Sequence, residues 1–192
     1  KPLLKVGSRP VLETIIENFA NQGFQRITLC INYRGDMIRQ QIGNGDRWDI
    51  QIDYVEEPDR MGTAGALTLL PKRPEEPFIV MNGDLLTKVD FVRLLEFHRR
   101  QGFAATVAMR EYSYQIPYGV LEINDQYRVT QIVEKPLERR YVSAGIYILE
   151  PKTIDMIPSG EYYDMPSLFN LLMQRDHTVG SFPLRDYWID IG

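Results

Sequence analysis

Residues 78–84 of the chain read Phe78-Ile79-Val80-Met81-Asn82-Gly83-Asp84. Four apolar residues in succession predict a β-strand that is buried on both faces. The run breaks at Gly83 and places the carboxylate of Asp84 just beyond the strand, where open α/β sheets bind their ligands. A carboxylate in that place can hold a hard cation such as Mg²⁺. The alternative is a solvated aspartate in a turn that ends the strand.

Helical and strand patterns alternate around this run. The predicted helices span residues 11–22, 35–42, 63–70 and 90–101, and the predicted strands span 27–32, 50–55 and 78–81. Asp90 is a suitable N-cap for the last of these helices, and Gly102 is suited to end it. This βαβα order implies a mostly parallel sheet with right-handed crossovers.

The pattern changes after Gly102. Short strand-like runs follow one another, and Asp164 begins a last predicted helix that has Pro166 in its first turn. The predicted strands of this half span 104–110, 119–123, 129–133, 142–149 and 179–184. We therefore expect a single domain whose second half, laid against the first sheet, is more antiparallel in character.

Composition narrows the class of protein. The 192 residues are 44% hydrophobic and 25% charged, which is usual for a soluble globular domain. The net charge of −4 argues against the basic surface of most nucleic-acid-binding proteins, and no apolar run reaches membrane-spanning length. The single cysteine, Cys30, lies in an apolar run and is predicted to be a core residue. His98 and His177 are predicted to lie on the surface.

Three short segments carry residues suited to chemistry. Residues 56–67 join a strand to a helix and include Gly62, Gly65 and other small residues, so a ligand could approach the backbone there. The alternative is a tight turn packed on the sheet. Residues 131–136 end a strand with Glu134 and Lys135. The Glu134 carboxylate could accept from a sugar hydroxyl and the Lys135 ammonium could bind a phosphate. The alternative is a solvated ion pair between the two side chains.

The third segment, residues 188–192, again places an aspartate, Asp190, after an apolar strand end. Protein Mg²⁺ sites commonly combine one or two carboxylates with substrate phosphates. Asp84 and Asp190 are therefore considered as a pair, although the sequence does not show that they converge.

The order of these motifs carries more information than any one of them. Lys1-Pro2-Leu3-Leu4, residues 57–67, Asn82-Gly83-Asp84, Tyr118-Gly119, Glu134-Lys135-Pro136, residues 143–147 and Asp190-Ile191-Gly192 occur in this sequence along the chain. Together they resemble the sugar-1-phosphate nucleotidyltransferase family, in particular its mannose-1-phosphate guanylyltransferase-like branch, over the whole chain. Some bacterial members of that branch carry a pair of cystathionine-β-synthase (CBS) domains ahead of the transferase domain.

The resemblance implies a Rossmann-like α/β fold in which residues 1–102 bind the nucleotide and residues 103–192 bind the sugar phosphate. It implies a single cytoplasmic domain that is truncated at both ends, with regulatory domains upstream. The implied reaction transfers a nucleoside monophosphate to a sugar 1-phosphate, with Mg²⁺ as cofactor. A homodimer is compatible with an exposed apolar face in the second half, and neither a nucleic acid nor a membrane is expected as a partner.

The resemblance also implies roles for individual residues. Asp84 and Asp190 match the family's Mg²⁺-binding acids, and Lys1 matches a lysine that contacts phosphates near the attacked phosphorus. Gly62 and Thr63 fall in the nucleotide-binding loop. The positions that match sugar-phosphate contacts are Gly119, Glu134, Lys135 and Ser143.

Glu57 bears on the choice of base. The thymidylyl branch tends to carry Gln at this position, whereas a carboxylate can accept from both N1–H and the 2-amino group of guanine. This argument favours GTP. Two departures from the family pattern are a serine, Ser143, where Asn is frequent, and the absence of the Gly-rich triphosphate loop and its strand, which belong just before Lys1.

Three alternatives stay open at this point. The chain could be a thymidylyl- or uridylyltransferase of the same family. It could also be a non-catalytic regulatory domain that binds a nucleotide sugar. A glycosyltransferase of related fold is less well matched, because such enzymes place a second acid two residues after the first, where this chain has Leu86.

Overall fold

The structure is a computed structural model that describes residues 3–191. Its helices are α1 (Val11–Asn21), α2 (Gly35–Ile42), α3 (Gly62–Gly65), α4 (Phe91–Gln101) and α5 (Met165–Gln174). Its strands are β1 (Lys5–Val6), β2 (Arg9–Pro10), β3 (Arg26–Ile31), β4 (Gln51–Glu56), β5 (Phe78–Met81), β6 (Leu85–Thr87), β7 (Ala105–Gln115), β8 (Gly119–Ile123), β9 (Val129–Glu134), β10 (Leu137–Leu149), β11 (Val179–Pro183) and β12 (Trp188–Asp190). Short 3₁₀ helices span Asp46–Trp48, Ala66–Leu69 and Pro151–Met156.

The sheets are mixed. The central sheet has the order β11-β7-β10-β5, in which β10 runs antiparallel to both β5 and β7, and β11 runs parallel to β7. The strands β3 and β4 form a separate parallel pair. Three further pairs are antiparallel: β6 with β12, β8 with β9, and β1 with β2. The α/β class and the mixed sheet are confirmed. Among the described strands, however, parallel pairing is limited to β3–β4 and β7–β11, so "mostly parallel" was wrong for this part of the chain.

Helices cover both faces of the central sheet. On one face, α1 and α4 pack on alternate residues of β5 and β10, including Ile79, Met81 and Ile146. On the other face, α5 packs on the intervening residues, including Val80 and Leu149. This alternation follows from the two-residue period of a strand. No helix in the described part is long and apolar enough to span a bilayer.

Most helix boundaries agree with the sequence prediction. The Asp90 carboxylate caps α4 by accepting from Arg93 N at 2.8 Å, and Asp164 caps α5 by accepting from Ser167 N at 2.9 Å. Gly102 ends α4 with a left-handed φ of 65°. The predicted helix at 63–70 is instead α3 followed by a 3₁₀ turn.

The burial of β5 differs from the prediction. All four of its residues are half-buried rather than fully buried, although the sheet has helices on both faces. The reason is the strand's position, because among residues 3–191 β5 is the last strand of the central sheet and its unpaired side faces a groove.

Candidate functional site

The two candidate metal-binding aspartates lie on adjacent segments. Asp84 follows β5 in a half-buried turn, and Asp190 ends β12. The antiparallel ladder pairs Leu85 with Asp190, and Ile191 N donates to the Asp84 carbonyl oxygen at 3.1 Å. Residues that the sequence separates by more than a hundred positions are therefore brought next to each other by the β6–β12 pairing.

A groove of about 840 Å³ opens beside this pair of segments. Its lining includes Asp84 together with Glu57, Gly62 and Thr63, the three candidate nucleotide-binding residues. A cavity of this size is within the range of small-molecule sites. The structure thus gathers these four predicted residues around one space.

Hydrogen bonds within the protein fix the predicted nucleotide-binding loop, residues 57–65. The Glu57 carboxylate accepts from Met61 N at 3.1 Å, which closes the turn between β4 and α3. Ala64 N and Gly65 N both donate to the Tyr163 carbonyl oxygen, at 3.0 and 2.9 Å. These two amides therefore form hydrogen bonds within the protein and are not free to bind a ligand.

Tyr163 and its neighbours form a docking segment that sequence reasoning missed. Tyr163 N donates to the Met61 carbonyl oxygen at 2.9 Å, and the Thr63 hydroxyl oxygen accepts from Met165 N at 2.9 Å. No local sequence signal could have found these contacts, because about a hundred residues separate the partners. The loop at 61–65 is thereby fixed to the N-terminus of α5.

Gly62 meets two requirements at once. Its φ is +76°, a backbone conformation that residues with a Cβ rarely adopt. A Cβ built at this position would also lie 2.5 Å from the Tyr163 carbonyl oxygen. Glycine at this position therefore allows both the turn and the close approach of the α5 segment.

Three of the four sugar-phosphate candidates cluster on the β8–β9 hairpin. Gly119 is the register partner of Glu134, and a Cβ at Gly119 would lie 3.0 Å from the Glu134 carboxylate. The Lys135 ammonium lies 3.8 Å from that carboxylate, and Lys135 has a left-handed φ of 47°. All three residues are exposed, so the side chains of Glu134 and Lys135 can reach a ligand.

Ser143 lies apart from that cluster, at a bulge in β10. Its hydroxyl contacts the Tyr147 hydroxyl at 3.0 Å and accepts from Gly145 N at 3.2 Å. In turn, Asn82 N donates to the Gly145 carbonyl oxygen at 3.0 Å, so the bulge packs beside the turn that carries Asp84. Within residues 3–191, no hydrogen bond or ion pair joins Ser143 to the hairpin cluster.

The donor set at Asp84 and Asp190 fits a magnesium ion that is held partly by substrate. Among residues 3–191, no three His, Cys, Asp or Glu side chains gather closely enough to hold a metal. Asp84 lines the groove and Asp190 lies on the paired neighbouring segment; a Mg²⁺ ion held by carboxylates of this kind takes its other ligands from phosphates and water. Lys1 and Gly192 lie outside the described residues.

The structure corrects two burial predictions. His98 is fully buried rather than on the surface; its Nδ1 lies 2.8 Å from the Thr106 hydroxyl and its Nε2 lies 3.3 Å from the Glu150 carboxylate. Burial lowers the pKa of His98, and the nearby Glu150 opposes that shift. His177 is exposed, as predicted.

Cys30 is exposed rather than a core residue, because it lines the groove. The protein atoms that surround it, with a smaller contribution from Glu57, raise the pKa of its thiol to about 11. The thiol is therefore accessible but almost entirely protonated at neutral pH.

Comparison with known proteins agrees with this geometry. The model of a family described as "Nucleotidyl transferase" matches residues 1–192, the whole chain. The chain belongs to the nucleotidyl transferase family. It is 32% identical over 204 residues to a mannose-1-phosphate guanyltransferase of Aspergillus fumigatus, and 31% identical over 200 residues to that of Saccharomyces cerevisiae. Each alignment covers all of this chain and 55% of the relative, so the chain spans about half the length of these relatives.

Solved nucleotidyl transferases share the fold. HddC from Yersinia pseudotuberculosis superposes with a TM-score of 0.76 at 27% identity, covering 99% of this chain and 83% of that one. HddC complexed with GMP-PN gives a TM-score of 0.75 at the same identity and coverage. A putative glucose-1-phosphate thymidylyltransferase from Bacillus anthracis, 21% identical, has a TM-score of 0.74 with 99% and 80% coverage, and shows the fold alone. The Rossmann-like nucleotidyltransferase fold is thus confirmed.

Proposed function

We propose that this chain forms the nucleotide- and sugar-phosphate-binding part of a sugar-1-phosphate guanylyltransferase. The observation that carries the proposal is the β6–β12 pairing, which brings the segment of Asp190 beside Asp84, and Asp84 lines the groove together with Glu57 and Gly62. The names of the relatives, mannose-1-phosphate guanyltransferases, and the solved complex of HddC with GMP-PN support guanine as the base.

The proposed reaction is an in-line displacement at phosphorus. A phosphate oxygen of the sugar 1-phosphate bonds to the α-phosphorus of GTP, the bond to the bridging oxygen breaks, and pyrophosphate leaves with that electron pair. The chain's task is to position the two phosphates and to hold charge, as in other phosphoryl-type transfers. Asp84 and Asp190 would hold Mg²⁺, which when bound neutralises charge on the phosphates.

Base selection is assigned to Glu57. One oxygen of its carboxylate accepts from Met61 N, which orients the side chain at the groove wall. A carboxylate so held can accept from the N–H groups on the guanine edge. It cannot donate to the carbonyl groups of uracil or thymine, so UTP and dTTP would be poorer substrates.

The sugar phosphate is assigned to the hairpin. Gly119 leaves room beside Glu134, whose carboxylate can accept from sugar hydroxyls, and the Lys135 ammonium can bind the phosphate. Ser143 contributes a hydroxyl from the β10 bulge.

A pyrophosphate-release assay on the natural polypeptide that carries this sequence tests the proposal. We expect turnover with GTP and a hexose or heptose 1-phosphate in the presence of Mg²⁺, and its loss on chelation. Asp84→Asn and Asp190→Asn should each lower kcat by about 100-fold or more, as expected when charge stabilisation of the transition state is removed. Asp186→Asn, an exposed aspartate just before β12, should keep normal turnover and serves as the control.

Other outcomes would redirect the assignment. Turnover with dTTP or UTP but not GTP would identify a thymidylyl- or uridylyltransferase. Tight binding of a nucleotide sugar without turnover would identify a regulatory domain. Normal turnover in Asp84→Asn would reject the role of that carboxylate.

A further inference from the structure

Arg110 is the last half-buried residue of β7, and residues 111–115 that follow it in the strand are exposed. Its Nη1 donates to the Trp188 carbonyl oxygen at 2.9 Å, and its guanidinium carbon lies 5.7 Å from the centroid of the Trp188 ring. A charged donor makes a stronger hydrogen bond than a neutral one, and a guanidinium near an aromatic ring is attracted to it. One side chain of β7 therefore restrains both the backbone and the ring of a β12 residue.

Trp188 extends this restraint to the bulge in β10. Its indole Nε1 donates to the Ala144 carbonyl oxygen at 2.8 Å. Ala144 adjoins Ser143, the sugar-phosphate candidate on the bulge, and Gly145, whose carbonyl oxygen accepts from Asn82 N at 3.0 Å. Hydrogen bonds therefore join β7, β12, the β10 bulge and the turn that follows β5 into one connected unit.

Asp190 lies two residues after Trp188 on the same short strand. Because strand residues alternate, the two side chains project from the same face of β12. Ile191 N then donates to the Asp84 carbonyl oxygen at 3.1 Å. The position of the Asp190 carboxylate therefore depends on how β12 is held at Trp188.

The charge of Arg110 allows two roles to be told apart. No ion pair within residues 3–191 includes Arg110, so its positive charge is not neutralised by a described carboxylate. A cation near a metal site repels the metal ion, so a purely electrostatic effect of Arg110 would weaken metal binding. A positioning effect would strengthen metal binding, which is the opposite sign.

We propose that Arg110 is a positioning residue for the metal-binding pair. It fixes β12 through Trp188 and thereby sets where the Asp190 carboxylate lies relative to Asp84. The inference rests on the proposed function of that pair. Arginine suits this position because its planar guanidinium can donate to a carbonyl oxygen and lie near an indole ring at the same time, whereas the ammonium of lysine is a compact charge on a flexible stem.

Hydrogen exchange at the Ile191 amide of the natural polypeptide tests the restraint without any turnover. Arg110→Met keeps an unbranched stem but removes the donor, so this amide should exchange about tenfold faster, because β12 is less firmly held. Arg110→Lys should recover part of the protection. Arg100→Met removes an exposed arginine of α4 and should leave the rate unchanged, which makes it the control. Unchanged exchange in Arg110→Met would overturn the proposal.

Metal titration separates positioning from a merely structural role. Mn²⁺ serves as the probe, and its binding to the nucleotide-free polypeptide is followed by electron paramagnetic resonance. Arg110→Met should weaken Mn²⁺ binding and lower kcat, each by about tenfold, while KM for GTP changes little. Tighter Mn²⁺ binding would show that the charge acts alone and would overturn the proposal. A lower free energy of unfolding with unchanged Mn²⁺ binding and kcat would also overturn it.

Asp190→Asn distinguishes failure of this inference from failure of the proposed function. If Asp190→Asn neither lowers turnover nor weakens Mn²⁺ binding, the proposed function of the aspartate pair fails, and the role of Arg110 fails with it. If Asp190→Asn does both and Arg110→Met does neither, the proposed function stands and only the role of Arg110 is rejected.

Discussion

Replacement of Gly62 by alanine tests the docking of the nucleotide loop on the α5 segment. The alanine would have to adopt a φ of +76°, and its Cβ would lie 2.5 Å from the Tyr163 carbonyl oxygen. Left-handed backbone costs a residue with a Cβ about 1–2 kcal/mol. Moving the Tyr163 carbonyl weakens the hydrogen bonds from Ala64 N and Gly65 N, each worth about 1 kcal/mol. We therefore expect a loss of roughly 3–4 kcal/mol in the free energy of unfolding.

Gly102→Ala is the matched control. Gly102 also has a left-handed φ, +65°, but a Cβ there would have no neighbour within 4 Å. Its substitution should cost only the backbone preference, about 1–2 kcal/mol. Urea unfolding of the two variants, compared at equal m-value, isolates the contribution of the clash. Equal losses in the two variants would refute the close approach of Tyr163.

Three further outcomes are expected. Glu57→Gln keeps an oxygen to accept from Met61 N, so the fold should persist while the ratio of kcat/KM for GTP to that for dTTP falls about tenfold or more; an unchanged ratio would remove Glu57 from base selection. Thr63→Val leaves the buried Met165 N without its acceptor and should cost about 1–3 kcal/mol in urea unfolding, whereas Thr63→Ser should restore most of it. Because burial holds the pKa of His98 below its unfolded value of about 6.5, the unfolded state binds a proton first as the pH falls below that value, so the free energy of unfolding should fall there and less so in His98→Gln; parallel pH profiles would contradict this.

Local features of the fold could be predicted from the sequence. The predicted bounds of α2, residues 35–42, agree with the structure, and the caps Asp90 and Asp164 follow from residue type and position. Helix bounds and caps depend on residues within one or two helical turns of each helix end, so they can be predicted from a single sequence.

Features set by distant partners could not be predicted. The burial of His98 depends on Thr106 and Glu150, and the exposure of Cys30 depends on which strand lies beside β3. An apolar run shows that a strand forms, but not whether its edge is paired. For the same reason β5 is half-buried despite four apolar residues.

The candidate site divides in the same way. The resemblance implies a metal-binding role for Asp84 and nucleotide-binding roles for Glu57 and Gly62, and the structure gathers the three residues at one groove. No sequence pattern indicates that Met165 N donates to the Thr63 hydroxyl or that the Tyr163 carbonyl oxygen accepts from the loop amides. A CBS pair upstream and a homodimer stay predictions.

The long strands β7 and β10 have a mechanical consequence. Residues 111–115 and 137–141 continue their pairing beyond the core, mostly exposed, and lead to the hairpin that carries Glu134 and Lys135. Five residues of strand make a lever arm of about 17 Å. A bend of about 10° at its base would move the tip by about 3 Å without disturbing a core side chain. The hairpin, which is proposed to bind the sugar phosphate, can therefore move through this arm while Asp84 stays in place after the end of β5.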